Sequence, residues 1–121
     1  MERLDALREE LRAFVADRDW RQFHDPKNLS MLLASEAGEL LALFRWVDNA
    51  QADAFAAEPK QRAKIEAEVA DAALAVLLLC DRLGLDLVDV ARAKLAHNAK
   101  NYPADVVRGS AERPPRAPAS G

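Results

Sequence analysis

Four acidic residues fall in two pairs of equal spacing. Glu36 and Glu39 stand three residues apart in Leu33-Ala34-Ser35-Glu36-Ala37-Gly38-Glu39-Leu40, and Glu68 and Asp71 stand three apart in Glu68-Val69-Ala70-Asp71. Residues three apart share one face of a helix, so each pair can grip one ion. If the two segments are helices ending at Val47 and starting at Lys60, Glu39 and Glu68 each lie eight residues from the connection, about 12 Å at 1.5 Å per residue. Glu36 and Asp71 each lie eleven residues in, about 16 Å on the same rise. An antiparallel hairpin then brings all four carboxylates to one region. Convergent acids in an apolar surround repel each other and are costly to desolvate, and a divalent cation resolves both problems. All-oxygen ligands suit Mg²⁺, with Mn²⁺ as the alternative, and such ions keep coordination sites for water and for substrate phosphates. A di-iron carboxylate site would need Glu-x-x-His spacing. Here the residues three beyond the acids are Glu39, Ala42, Asp71 and Leu74, which excludes it. A lone Glu-x-x-Glu is usually a solvated helix face. Glu36 and Asp71, however, interrupt apolar stripes where a surface charge has no place.

The elements that must position these acids are helical throughout. Leu4, Leu7, Leu11, Phe14 and Val15 recur at helical spacing, and no segment alternates at period two for long enough to make a strand. Pro26 closes a polar loop and opens a second helix, Pro26 to Val47, striped by Leu29, Leu32, Leu33, Leu40, Leu43, Phe44 and Val47. Residues 48–59 form a linker with a helical turn around Phe55. The third helix runs from Lys60 to Leu83 and stops at Gly84. A fourth starts behind the N-cap Asp86 and ends at Pro103. Between Val69 and Cys80 the third helix carries only Asp71 as a charge, so it needs cover on several sides, and in so small a domain a second subunit supplies it. The expected architecture is all-α, a four-helix-bundle-like protomer in a homodimer or homotetramer. Residues 1–107 form the domain, and 108–121, rich in Pro, Arg, Ser and Ala, form a disordered tail.

Composition narrows the class further. The 121 residues are 50% hydrophobic and 31% charged, which suits one globular domain. A net charge of −3 argues against a protein that coats nucleic acid or a membrane surface. The start Met1-Glu2-Arg3-Leu4-Asp5 lacks the pattern of a secretory signal, and the Val69–Cys80 run is too short to span a bilayer. These features point to a cytoplasmic protein with no nucleic-acid or membrane partner. Cys80 has no second cysteine to pair with and is expected to pack as a small hydrophobe.

Five blocks occur in one order: Arg18-Asp19-Trp20-x-x-Phe23-His24-x-Pro26-x-Asn28-Leu29, Glu36-x-x-Glu39-Leu40, Phe44-x-Trp46, Glu68-x-x-Asp71, and Lys94-x-x-x-Asn98-x-x-x-Tyr102-Pro103. Together they resemble the MazG-like all-α nucleoside triphosphate pyrophosphohydrolases, most closely the dCTP pyrophosphatase branch. The family often has a further Glu directly before the first pair, where this chain has Ser35. The resemblance implies Mg²⁺ on Glu36, Glu39, Glu68 and Asp71, and cleavage of a nucleoside triphosphate, dCTP or a modified dCTP, into monophosphate and pyrophosphate. It makes Lys94, Asn98 and Tyr102, which form one row along the fourth helix, candidates for phosphate and sugar contacts. Trp20 and Trp46 offer flat faces for a base. His24, Lys27 and Asn28, at the entry to the second helix, complete the candidate substrate contacts. The competing reading is a catalytically silent helical module that senses nucleotides or binds a protein.

Overall fold

The computed structural model describes residues 2–112. Six α-helices occur among them: α1 (Arg3–Asp17), α2 (Pro26–Phe44), α3 (Ala52–Ala57), α4 (Pro59–Leu83), α5 (Leu87–Asn101) and α6 (Ala104–Val107). Single 3₁₀ turns at Arg21–Phe23 and Asn49–Gln51 precede α2 and α3. No strand is present among the described residues, and none of the helices is long and apolar enough to cross a membrane. The helices fall into two units, Met1–Leu85 and Asp86–Gly121.

Local chemistry sets the helix limits in the first unit. Asp25 caps α2 by accepting the Asn28 backbone N–H at 2.9 Å, and Pro26 occupies the first turn, where its missing N–H costs nothing. Glu58 caps α4 through the N–H groups of Lys60 and Gln61, again with a proline in the first turn. At the other end of α4, Gly84 adopts φ 67°, and the Leu85 N–H reaches back to the Cys80 carbonyl at 2.8 Å. This left-handed stop favours glycine.

The hairpin is built from α2 and α4, which pack chiefly against each other. Phe44, the last residue of α2, meets Phe55 of α3 edge to face at 5.5 Å. Because α3 leads within two residues into α4, this contact returns the chain antiparallel to α2. The core of the unit is small: Val15, Leu29, Ala75, Leu77 and Cys80 are its buried apolar residues. Cys80 is free and buried, as a small hydrophobe would be.

Several boundaries differ from those read in the sequence. α2 ends at Phe44 and not Val47, because the Val47 N–H bonds to the Phe44 carbonyl in a tight turn and Asp48 is extended. The expected turn around Phe55 is a helix of six residues. Pro103 ends the α5 segment but also starts α6, its carbonyl accepting the N–H groups of Val106 and Val107. Of the expected tail, residues 108–112 continue from α6 in a turn with Gly109 at φ 74°, and residues 113–121 lie outside those described.

The loop before α2 holds a residue in an uncommon conformation. Asp19 sits at φ 51°, and Gln22 Nε2 donates to both its carbonyl and its carboxylate at 3.0 Å. That bend lets the Trp20 N–H reach the Val15 carbonyl and sets the Trp20 ring against Phe14 at 5.7 Å. Asp19→Gly should leave stability nearly unchanged. Asp19→Val should cost about 1–2 kcal/mol and loosen the Trp20 ring, as read from urea unfolding and tryptophan fluorescence.

Candidate active site

The true helix limits determine which acids meet. Glu36 lies eight residues before the end of α2 and Glu68 nine after the start of α4, about 12 and 14 Å from the connection on the helical rise, so these two are level. Glu39 sits one turn nearer the connection. One oxygen from each of Glu36, Glu39 and Glu68 lies within 4.8 Å of the others. Asp71, one turn beyond Glu68, is exposed and stays outside that group, although its charge still acts on Glu36. The fourfold convergence expected from the spacing is thus a threefold one with Asp71 beside it. The earlier stop of α2 accounts for the change of level.

Glu36 and Glu68 are half-buried, and in each the Oε2 atom is shielded from solvent without a hydrogen-bond partner. An orphaned carboxylate oxygen normally carries a desolvation penalty that folding avoids. Two of them on residues of one carboxylate cluster, which offers only oxygen donors, fit a hard divalent cation. Desolvation raises the Glu36 carboxyl above its ordinary value of 4.5, and the charges of Glu39 and then Asp71 raise it further. Desolvation also leads the rise at Glu68, followed by the charge of Glu39.

No family model matches the chain. Individual relatives do. It is 40% identical over 98 residues to dCTP pyrophosphatase 1 of Rattus norvegicus, covering 81% of this chain, and 35% identical over 100 residues to dCTP pyrophosphatase 1 of Homo sapiens, covering 83%. A crystal structure of a pyrophosphatase from Archaeoglobus fulgidus superposes with a TM-score of 0.78 at 29% identity, over 85% of this chain and 94% of that one. The chain is similar in sequence to the dCTP pyrophosphatases. The match spans 58% of the length of the rat protein and 59% of the human one. Sequence and helical fold together agree with the MazG-like resemblance carried by the five motif blocks.

Against the dCTP pyrophosphatase pattern, the other candidate residues occupy varied settings. Trp20 is exposed, and its ring meets Phe14 edge to face. Trp46 lies past the end of α2 and is 86% exposed, with the Arg45 guanidinium 5.5 Å from its ring. Asn28 is used locally: its Nδ2 donates to the Phe23 carbonyl at 3.1 Å, and its N–H is taken by Asp25. Lys27 is exposed in the first turn of α2, nine residues before Glu36. In the second unit, Lys94 and Asn98 lie one turn apart on α5, Lys94 exposed and Asn98 half-buried. The Tyr102 N–H closes that helix on the Asn98 carbonyl at 2.8 Å. His24 is half-buried and does not stand with the carboxylates; it lines a cavity between α1 and the last turns of α4. The arginines of that cavity escape a motif search. Their one sequence signal is the one-turn spacing of Arg8 and Arg12 on α1.

The raised carboxyls give the metal-free protein a distinctive pH response. A carboxyl raised by folding holds its proton more tightly in the native state than in the unfolded chain. Its penalty is therefore absent below the ordinary value and grows as pH climbs through the raised one. Thermal unfolding without divalent cations should show stability falling from about pH 4.5 upward through this contribution, and Glu36→Gln should remove part of that slope. Mg²⁺ competes with the same protons, so its affinity should rise across that window and its binding should release protons, as read by calorimetry in two buffers.

Proposed function

We propose that this chain is a Mg²⁺-dependent nucleoside triphosphate pyrophosphohydrolase. Its substrate is a deoxynucleoside triphosphate, dCTP or a modified dCTP, cut between the α- and β-phosphates. The observation that carries this reading is the meeting of Glu36, Glu39 and Glu68 with two solvent-shielded, unpartnered carboxylate oxygens. The kinship with dCTP pyrophosphatases supports the choice of substrate.

Glu36, Glu39 and Glu68 would hold the cation, with Asp71 one turn away as a fourth ligand. A bound cation supplies charge neutralisation on the triphosphate and acidifies a water. Water adds its oxygen to the α-phosphorus, the bond to the bridging oxygen breaks, and that oxygen leaves with the β- and γ-phosphates as pyrophosphate. A carboxylate of the cluster takes the water's proton. Lys94, Asn98 and Tyr102 are assigned to phosphate and sugar, and Trp20 and Trp46 to the base, whose ring can stack on an exposed indole. His24, Lys27 and Asn28 shape the entry to α2. The small core and the exposed Met31, Leu41 and Val69 on α2 and α4 support a homodimer or homotetramer, and this reading assigns it a cytoplasmic nucleotide pool.

The test is a panel of the eight natural nucleotides and methylated dCTP, with and without Mg²⁺, with products resolved. Monophosphate and pyrophosphate, formed only with the metal and fastest from cytosine deoxynucleotides, are the expected result. Release of orthophosphate, or no turnover of any nucleotide, would contradict the proposal.

A further inference from the structure

Phe44 and Phe55 stand at the two corners of the connection between α2 and α4. Phe44 ends α2, and its carbonyl accepts the Val47 N–H at 2.9 Å where the chain leaves the helix. Phe55 lies in α3, and its carbonyl accepts the Glu58 N–H at 3.3 Å where that helix ends. The two rings meet edge to face, with centroids 5.5 Å apart and planes at 67°. Glu58 is extended and caps α4, so Phe55 is tied to the start of α4 through a single bend, and α3 also packs on α4. On the other side of the contact, Glu36, Leu40 and Phe44 are half-buried at four-residue intervals and form one ridge of α2.

We propose that Phe55 is a positioning residue for the carboxylate cluster: its contact with Phe44 sets how far α2 lies along α4, and so brings Glu36 and Glu39 into reach of Glu68. The remaining residues of the facing ridges do not fix this alone. Leu33 and Leu40 of α2 and Ile65 and Ala72 of α4 are half-buried apolar residues, and apolar burial is non-directional, so neighbouring registers bury similar area. An edge-to-face ring pair has a preferred geometry and favours one register. The carboxylates need that selection. Their ligand atoms lie within 4.8 Å of one another, whereas a slide of one residue moves a helix by about 1.5 Å. Metal–oxygen distances tolerate only about 0.2 Å, so such a slide takes the oxygens of α2 out of reach of an ion held by α4. This role rests on the cation-binding reading of the cluster, and it assigns Phe55 no contact with nucleotide or ion.

The experiment measures Mn²⁺ binding to the full chain, from the electron paramagnetic resonance signal of the free ion, beside thermal unfolding of the metal-free protein. Phe55→Leu and Phe44→Leu keep most of the apolar volume and lose the ring contact. Each should weaken Mn²⁺ binding by about tenfold or more, the scale expected when the support behind metal ligands is lost. The double variant should bind no more weakly than the weaker single one, because both changes remove one contact. Phe55→Tyr, which keeps the ring, should bind as the wild type does. Val15→Ala truncates a buried residue of α1, away from the hairpin connection, and should lower the melting temperature while leaving Mn²⁺ affinity unchanged. Wild-type affinity in Phe55→Leu overturns the positioning role and leaves the pyrophosphohydrolase reading standing. Additive losses in the double variant, a loss in Phe55→Tyr equal to that in Phe55→Leu, or an equal loss in Val15→Ala does the same. Failure of the wild-type chain to bind Mn²⁺ overturns both.

Discussion

On the proposed reading, Glu68→Gln should reduce Mg²⁺-dependent pyrophosphate release by about 10³-fold or more, a loss on the scale of removing a group that places charge against the transition state. The substitution keeps the shape of the side chain and removes only its charge. In the native hairpin, Glu68 Oε2 is shielded and unpartnered beside Glu36 and Glu39. An amide there cannot ligate a hard cation as a carboxylate does. The same change should raise the melting temperature of the metal-free protein, since it removes a desolvated charge that repels Glu39 and Glu36. Opposite signs for activity and stability distinguish a functional cluster from a structural one. If the acids served only the fold, Glu68→Gln would leave turnover intact. Steady-state kinetics and thermal unfolding on one preparation read both.

Leu29→Ala should be the most damaging single change to the fold, costing about 2–5 kcal/mol. Leu29 is 1% exposed and is the largest side chain fully enclosed among the described residues. Truncation removes its transfer free energy and leaves a void at the start of α2, next to the capped turn at Asp25. Since domains are stable by only about 5–15 kcal/mol, that loss is a large fraction of the whole. Urea unfolding at fixed protein concentration should show a lower midpoint with an unchanged slope.

The helices themselves were legible because their signals are local. Pro26 in a first turn, Asp86 as a cap and Gly84 as a stop all act within one turn of the chain. The carboxylate pairs were legible for the same reason, since three-residue spacing fixes a shared face. What the spacing could not give is the level at which two helices meet. That depends on how Arg45, Trp46 and Val47 leave α2, a matter of competing turn hydrogen bonds, and it moved Asp71 out of the group formed by the other three acids. α6 was missed because Pro103 reads as an end, although a proline can equally precede a helix. The arginine cavity was invisible for a different reason. Its residues come from α1, the turn before α2 and the far end of α4, and only tertiary packing assembles them.

The most direct measurement is anomalous diffraction from crystals soaked in Mn²⁺, which reports metal position without reference to turnover. An anomalous peak bounded by Glu36, Glu39 and Glu68, absent in Glu68→Gln crystals, is the expected result. Full soaking with no peak between α2 and α4, or a peak ligated elsewhere, would contradict the shared-cation site.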